Sequence, residues 1–387
     1  MRRLLTLVLV TVIAVGTLGA MRIGDRPAAR VAPERRTVVF NGQGNNLDAY
    51  TATRPFRHQQ VIESAATDPD GTDLNAQICF FPQDAGKAVR RFIAGEDTGQ
   101  PDPPQGWGIF ELRGTRPGNF RTTQIAKLTP TYQGSLDNAE NYGCGFLSDG
   151  RIVTSDVGNQ ASGDGDGQLI VWFPPFDTGV GGEGQVRYYK IDVGLATAGG
   201  IAIDDEDRVY VTSARPPTTG VWRYPGPFPT SDTAAGGCGA KDGTGAPLAD
   251  SAPRELFIAT TAPLATPNAV VQRPGGGFYV SSVINGVIAE YDDDGAYVRT
   301  VLQPPAGETL GAETYTTGTP LGIGVDRAGT IFYADIGIVI SADRIGPGDG
   351  NGTVRRIGFK NGEPLPPVTM ATGLAFPDGI GILEPRR

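Results

Sequence analysis

Two residues with metal-binding oxygens stand at matching places in the chain. Asn268 follows Pro267 at the head of PNAVV, and Asp378 follows Pro377 at the head of PDGIGI. Asn141 opens a similar run, NYGCGF, one residue out of register, and Asn75 opens LNAQICFF. Amide carbonyls with a carboxylate suit a hard cation such as calcium, which takes several oxygen ligands. Other chemistries are poorly provided for. His58 is the one histidine, so paired-histidine catalysis and multi-histidine metal sites are excluded. There is no GxSxG elbow, no phosphate-binding loop and no CxxC, and nothing points to an organic cofactor. His58 itself, in RPFRHQQ, reads as structural or exposed. SGDGDGQ (162–168), YDDDG (291–295) and RIGPGDGNG (344–352) read as turns.

For these residues to act together, the elements carrying them must converge. One two-strand unit recurs: NYGCGFLSDGRIVTSD, AGGIAIDDEDRVYVTS, PNAVVQRPGGGFYVSS and PLGIGVDRAGTIFYAD. Each is a short apolar strand, a polar turn bearing Gly or Asp, and a second strand rich in β-branched and aromatic residues. Third and fourth strands follow each pair, at a period of roughly 50 to 70 residues, which is one blade of a β-propeller. Residues 75–130 give a looser copy. FPDGIGIL, near the C-terminus, is a lone first strand whose partners are expected near RTVVF and RHQQVIE. The expected fold is therefore all-β: a six-bladed β-propeller of four-stranded antiparallel blades, with the ring closed by the N- and C-terminal segments. First-strand starts would crowd one mouth of its central channel, bringing Asn268 and Asp378 together. Trp107, Trp172, Trp222, Tyr188 and Tyr189 fall in strands and are expected to pack between blades. Thr230 to Asp250 and Ala306 to Gly318 read as insertions.

The chain has 387 residues, 56 glycines, 31 prolines and a net charge of −9. The acidic balance disfavours nucleic acid as a partner. Met1-Arg2-Arg3 followed by an apolar run to Leu18 reads as a signal peptide over residues 1–20, cleaved or kept as an anchor. Residues 21–35 read as a flexible lead-in and residues 36–387 as a single propeller domain. The expected location is secreted or periplasmic, with contact to a membrane only through a retained anchor. Cys79, Cys144 and Cys238 cannot all pair within one chain, and the pairing is left open.

The blade openings PNAVVQRPGGGFYVSS, PLGIGVDRAGTIFYAD and FPDGIGIL resemble those of six-bladed NHL-type propellers and of the senescence-marker-protein and gluconolactonase family. That resemblance implies a calcium site built from one Glu, two Asn and one Asp. Asn141, Asn268 and Asp378 match the Asn and Asp members. The Glu has no counterpart, and Asn75 or Glu63 is the candidate replacement. Two readings follow. One is a calcium-dependent hydrolase of the lactonase or esterase type, with a small-molecule substrate at the channel mouth. The other is a non-catalytic propeller that binds a surface ligand.

Overall fold

In a computed structural model the residues described are 37–43, 46–63, 74, 76–96, 106–128, 141–157, 167–176, 186–231, 240–241, 247–248, 252–342 and 344–384. The expected signal segment and lead-in, Asn75, Cys238 and most of SGDGDGQ lie outside them.

Strands dominate because β-branched and aromatic residues alternate with small ones between Gly- and Asp-bearing turns. Six blades of four antiparallel strands form the ring, and the sheet of the second is extended to six by Pro247–Leu248 and Ala240–Lys241. Blade one holds Cys79–Phe80, Val89–Glu96, Gly106–Arg113 and Arg121–Leu128. Blade two holds Asn141–Phe146, Ile152–Asp156, Gly167–Trp172 and Tyr188–Leu195. Blade three holds Ile201–Ile203, Val209–Ser213, Gly220–Tyr224 and Glu255–Ala259. Blade four holds Pro267–Gln272, Phe278–Ser282, Val287–Tyr291 and Tyr297–Leu302. Blade five holds Pro320–Val325, Ile331–Asp335, Gly352–Ile357 and Val368–Leu374. Blade six takes its innermost strand, Pro377–Leu383, from the C-terminal end. Its other three, Val38–Gln43, Asn46–Thr51 and His58–Glu63, come from the N-terminal side. Val38 pairs with Leu383 and Gln43 with Pro377, so the last strand finds the partners its sequence required.

Period-two alternation explains the core. Ile152 faces blade one and Val153 faces blade three. Phe332 faces blade six, whereas Ile331 and Tyr333 face blade four. Both faces of a blade are thus buried, which is why its second strands read as nearly unbroken apolar runs. Six clusters result, one per blade junction. Trp107 and Trp172 are fully buried between blades one and two, as their strand positions implied.

The innermost strands touch through backbone. A Cβ on Gly322 would lie 2.1 Å from the Asp378 carbonyl oxygen, and one on Gly200 would lie 3.0 Å from that of Asn268. Buried hydroxyls on second strands tie neighbouring blades together. Ser281 Oγ accepts from Ala269 N at 3.0 Å and donates to Leu321 O at 2.8 Å. Thr212 Oγ1 donates to Asn268 O at 2.7 Å. The Gln77 side chain of blade one bonds both backbone groups of Ile201 in blade three, accepting from its N at 3.2 Å and donating to its O at 3.1 Å. Cys79 and Cys144 form a disulfide between blades one and two, Cα atoms 6.1 Å apart.

Two features were not read from the sequence as they stand. RIGPGDGNG is more than a turn: Ile345–Pro347 within it pairs with Ile338–Ile340 as a hairpin inserted in blade five. In the Thr230 to Asp250 insertion of blade three, Pro247–Leu248 pairs in parallel with the outermost strand of blade two at Lys190. It thereby covers an edge that would otherwise be open there.

Candidate functional site at the channel mouth

The innermost strands all begin at the same end of the ring, and four of them carry an irregularity at the same point. The register shifts between Asn141 and Cys144, between Pro267 and Val270, between Pro320 and Ile323, and opposite Asn41 and Gln43. Such bulges re-aim a side chain and are common beside functional sites.

Backbone contacts between blades establish which residues are equivalent. Gln77 N donates to Tyr142 O at 2.7 Å as Gly200 N donates to Asn268 O at 2.8 Å. Leu321 O receives Ser281 as Asn268 O receives Thr212. Asp378 O meets Gly322 as Asn268 O meets Gly200. The ring at the mouth is therefore Ala76, Tyr142, Gly199, Asn268, Leu321 and Asp378. Asn268 and Asp378 do share a register, as their sequence places implied. Leu321 of blade five stands between them.

Asn141 lies one position earlier, and Tyr142 takes the equivalent place. The Asn141 side chain is buried and donates through Nδ2 to Gly106 O of blade one at 2.6 Å. Asp378 is buried, and its Oδ2 accepts from Ala76 N at 3.3 Å across the ring-closing junction. Asn268 Oδ1 accepts from Val283 N at 3.4 Å. Glu63 is on the outermost strand of blade six, three strands from the channel. At about 4.8 Å per strand, that is roughly 14 Å from the innermost strand, so it is not a mouth residue. His58 lies on the same outer strand, with Nε2 2.7 Å from Asp48 Oδ1 and its ring stacked on Tyr50. Of YDDDG, Asp292 Oδ1 accepts from the backbone of Asp294 and Ala296, as a turn residue should.

Beside these polar groups the mouth carries an apolar patch. Tyr142, Val157, Val283, Leu321, Ile336 and Ile338 form one buried cluster, with Leu310 packed against it. Leu310 comes from the Ala306 to Gly318 insertion, and Ile338 from the inserted hairpin. The two insertions are joined, since Ile340 N donates to Gly311 O at 2.7 Å. They are held to blade five by the fully buried Asp335. Its Oδ1 accepts from Thr319 N at 2.7 Å and Gly337 N at 3.1 Å, and its Oδ2 pairs with Arg355 Nη2 at 3.0 Å. Burial pushes the Tyr333 phenol well above its ordinary range. It stays protonated and donates to Thr317 O at 2.8 Å. Asp335→Asn, which removes the ion pair but keeps an acceptor, should cost about 2 kcal/mol. It should also speed proteolysis within 306–318, as read by timed digestion and mass spectrometry.

Calcium takes six to eight oxygen ligands. The ring supplies one carboxylate and one side-chain amide, each engaged with protein backbone. Among the described residues no group of three or more His, Cys, Asp or Glu could hold a metal.

No family model matches the sequence, and no curated protein matches it. Solved structures do. A chain in the crystal structure of a nidogen/laminin complex is 12% identical, with a TM-score of 0.53 over 91% of this chain and 100% of that one. A calcium-binding regucalcin from Agrobacterium tumefaciens is 14% identical, with a TM-score of 0.40 over 76% of this chain and 81% of that one. A streptogramin B lyase is 12% identical, with a TM-score of 0.44 over 87% of this chain and 80% of that one. Proteins of the gluconolactonase and regucalcin kind are thus among the structural neighbours, as the blade openings suggested, and the likeness is one of fold.

Proposed function

We propose that the protein is an extracytoplasmic binding propeller that docks a protein partner on its mouth face. The observation that carries this is a set of apolar side chains exposed on that face. Ile284 precedes the third strand of blade four, Ile340 and Ile345 form the inserted hairpin, and Phe376 precedes the innermost strand of blade six. Ile345 is 60% exposed. Phe376 is exposed and has φ +47, a left-handed backbone that strains a bulky residue. Exposed apolar groups collected on one face mark interaction sites. The apolar cluster below gives them a rigid footing. The likeness to a chain from a nidogen/laminin complex, a protein–protein assembly, agrees with this reading, and the signal-like N-terminus and the disulfide agree with a location outside the cytoplasm.

The test is site-specific photo-crosslinking in the native host. A crosslinker at Ile345 should give a discrete protein adduct. The same group at Leu365, exposed on the opposite face, should give none. Equal adducts from both faces, or none from Ile345, would refute docking at the mouth.

A second reading is a cation-assisted hydrolase of the lactonase or esterase type, with calcium as the cation. What favours it is the shared register of Asn268 with the buried carboxylate of Asp378. In that reading Asp378 is the charged ligand, Asn268 and Asn141 are neutral ones, and Asn75 takes the place of the missing Glu.

A further inference from the structure

A second concavity lies at the opposite end of the ring, where the innermost strands finish. It has a volume of about 420 Å³ and sits over the junction between blades six and one. Its walls are Phe80, Phe81, Ile382 and Leu383, with Arg327 of blade five at the side. The size falls within the roughly 300–1,000 Å³ of small-molecule sites.

The charges around it are unevenly satisfied. Asp84 is paired with Lys87 Nζ and Arg91 Nε, both at 2.7 Å. Glu384 accepts from Arg327 N at 2.8 Å through Oε1 and from Thr37 Oγ1 at 3.4 Å through Oε2. Arg90 donates through Nη2 to Gly114 O. Among the described residues, the exposed Arg327 guanidinium has no ion pair or side-chain hydrogen bond. Its main chain is nevertheless fixed, both by Glu384 and by a turn in which Asp326 Oδ1 accepts from Ala328 N and Thr330 N. The cavity therefore joins apolar walls to one uncommitted cation carried on a fixed main chain.

We infer that this cavity binds a small amphiphilic carboxylate, with the carboxylate on the Arg327 fork and the apolar body against Phe80, Phe81, Ile382 and Leu383. A guanidinium matches a carboxylate in a planar two-point contact. Burying aromatic or aliphatic surface in the cavity supplies the remaining affinity. The site is independent of the mouth, and its failure would leave the docking face untouched.

The experiment is isothermal titration of the full chain with 3-phenylpropionate, and with 3-phenylpropanol as the uncharged counterpart. Wild type should bind the acid saturably and at least tenfold more tightly than the alcohol. Arg327→Gln, on an exposed turn, should keep its melting temperature and lose that preference. Arg327→Lys should recover only part of it, because an ammonium lacks the fork. Absence of saturable binding to wild type, or equal affinity in Arg327→Gln, would overturn the inference.

Discussion

Gly379→Ala is expected to prevent the ring from closing. A Cβ at this position would lie 1.3 Å from the Ala76 carbonyl oxygen and 2.2 Å from its carbon. These are backbone atoms of the segment leading into the innermost strand of blade one, so no rotamer change relieves the clash. Blade six would have to pull away from blade one. That would break the Asp378 to Ala76 bond and open the junction packed by Phe40, Phe92 and Phe120. The cost exceeds the 4 to 5 kcal/mol or so that marks an exceptional substitution. The variant should accumulate as insoluble or protease-sensitive chain. Gly311→Ala, where an added Cβ meets nothing within 4 Å, should stay within about 0.5 kcal/mol of wild type. Chemical denaturation of both variants checks this, and a stably folded Gly379→Ala protein would contradict the packing described.

Removing the Cys79–Cys144 disulfide should have the next largest effect. The bond joins residues 65 apart in sequence and staples the innermost strands of blades one and two. Loop-closure entropy puts its contribution at about 4 kcal/mol. For a chain of this length that is a fall of about 5 °C in melting temperature. The double variant Cys79→Ala/Cys144→Ala should melt lower than wild type and ignore reductant, whereas wild type should lose stability when reduced. Equal melting of oxidised and reduced wild type would show that the staple contributes little.

The architecture was written locally, and so it could be read. A strand pair with its turn chemistry shows in PNAVVQRPGGGFYVSS because alternation and glycines belong to neighbouring residues. FPDGIGIL lacked local partners, and ring closure was the one economical way to supply them. What could not be read depends on contacts between distant segments. Asn141 and Asn268 look nearly alike in sequence. A bulge and one residue of offset send Asn141 toward Gly106 and put Tyr142 in the ring. Glu63 was a reasonable oxygen donor until the strand order placed it on an outer edge. Three cysteines allowed three pairings, and only the adjacency of blades one and two selects one. The added hairpin of blade five hid behind glycine and proline that also serve as turn signals. The apolar patch at the mouth was invisible for the same reason, since Leu310, Val283 and Ile338 come from separate parts of the chain. The exposed hydrophobics on which the proposed docking face rests carry no motif, and come to one end only once the six blades are arranged.

The measurement that bears most directly on the central claim, a mouth that works by docking and not by cation chemistry, is calcium binding. Purified wild type and Asp378→Ala would be compared by metal analysis and by melting with and without added calcium. A ligand that binds the native state raises its melting temperature by mass action. The docking account predicts that wild type retains no stoichiometric calcium and does not shift. Asp378→Ala should then lose only about 1 kcal/mol, the worth of the bond to Ala76 N. Stoichiometric calcium in wild type, with a stabilising shift that disappears in Asp378→Ala, would contradict it and establish the cation-assisted reading.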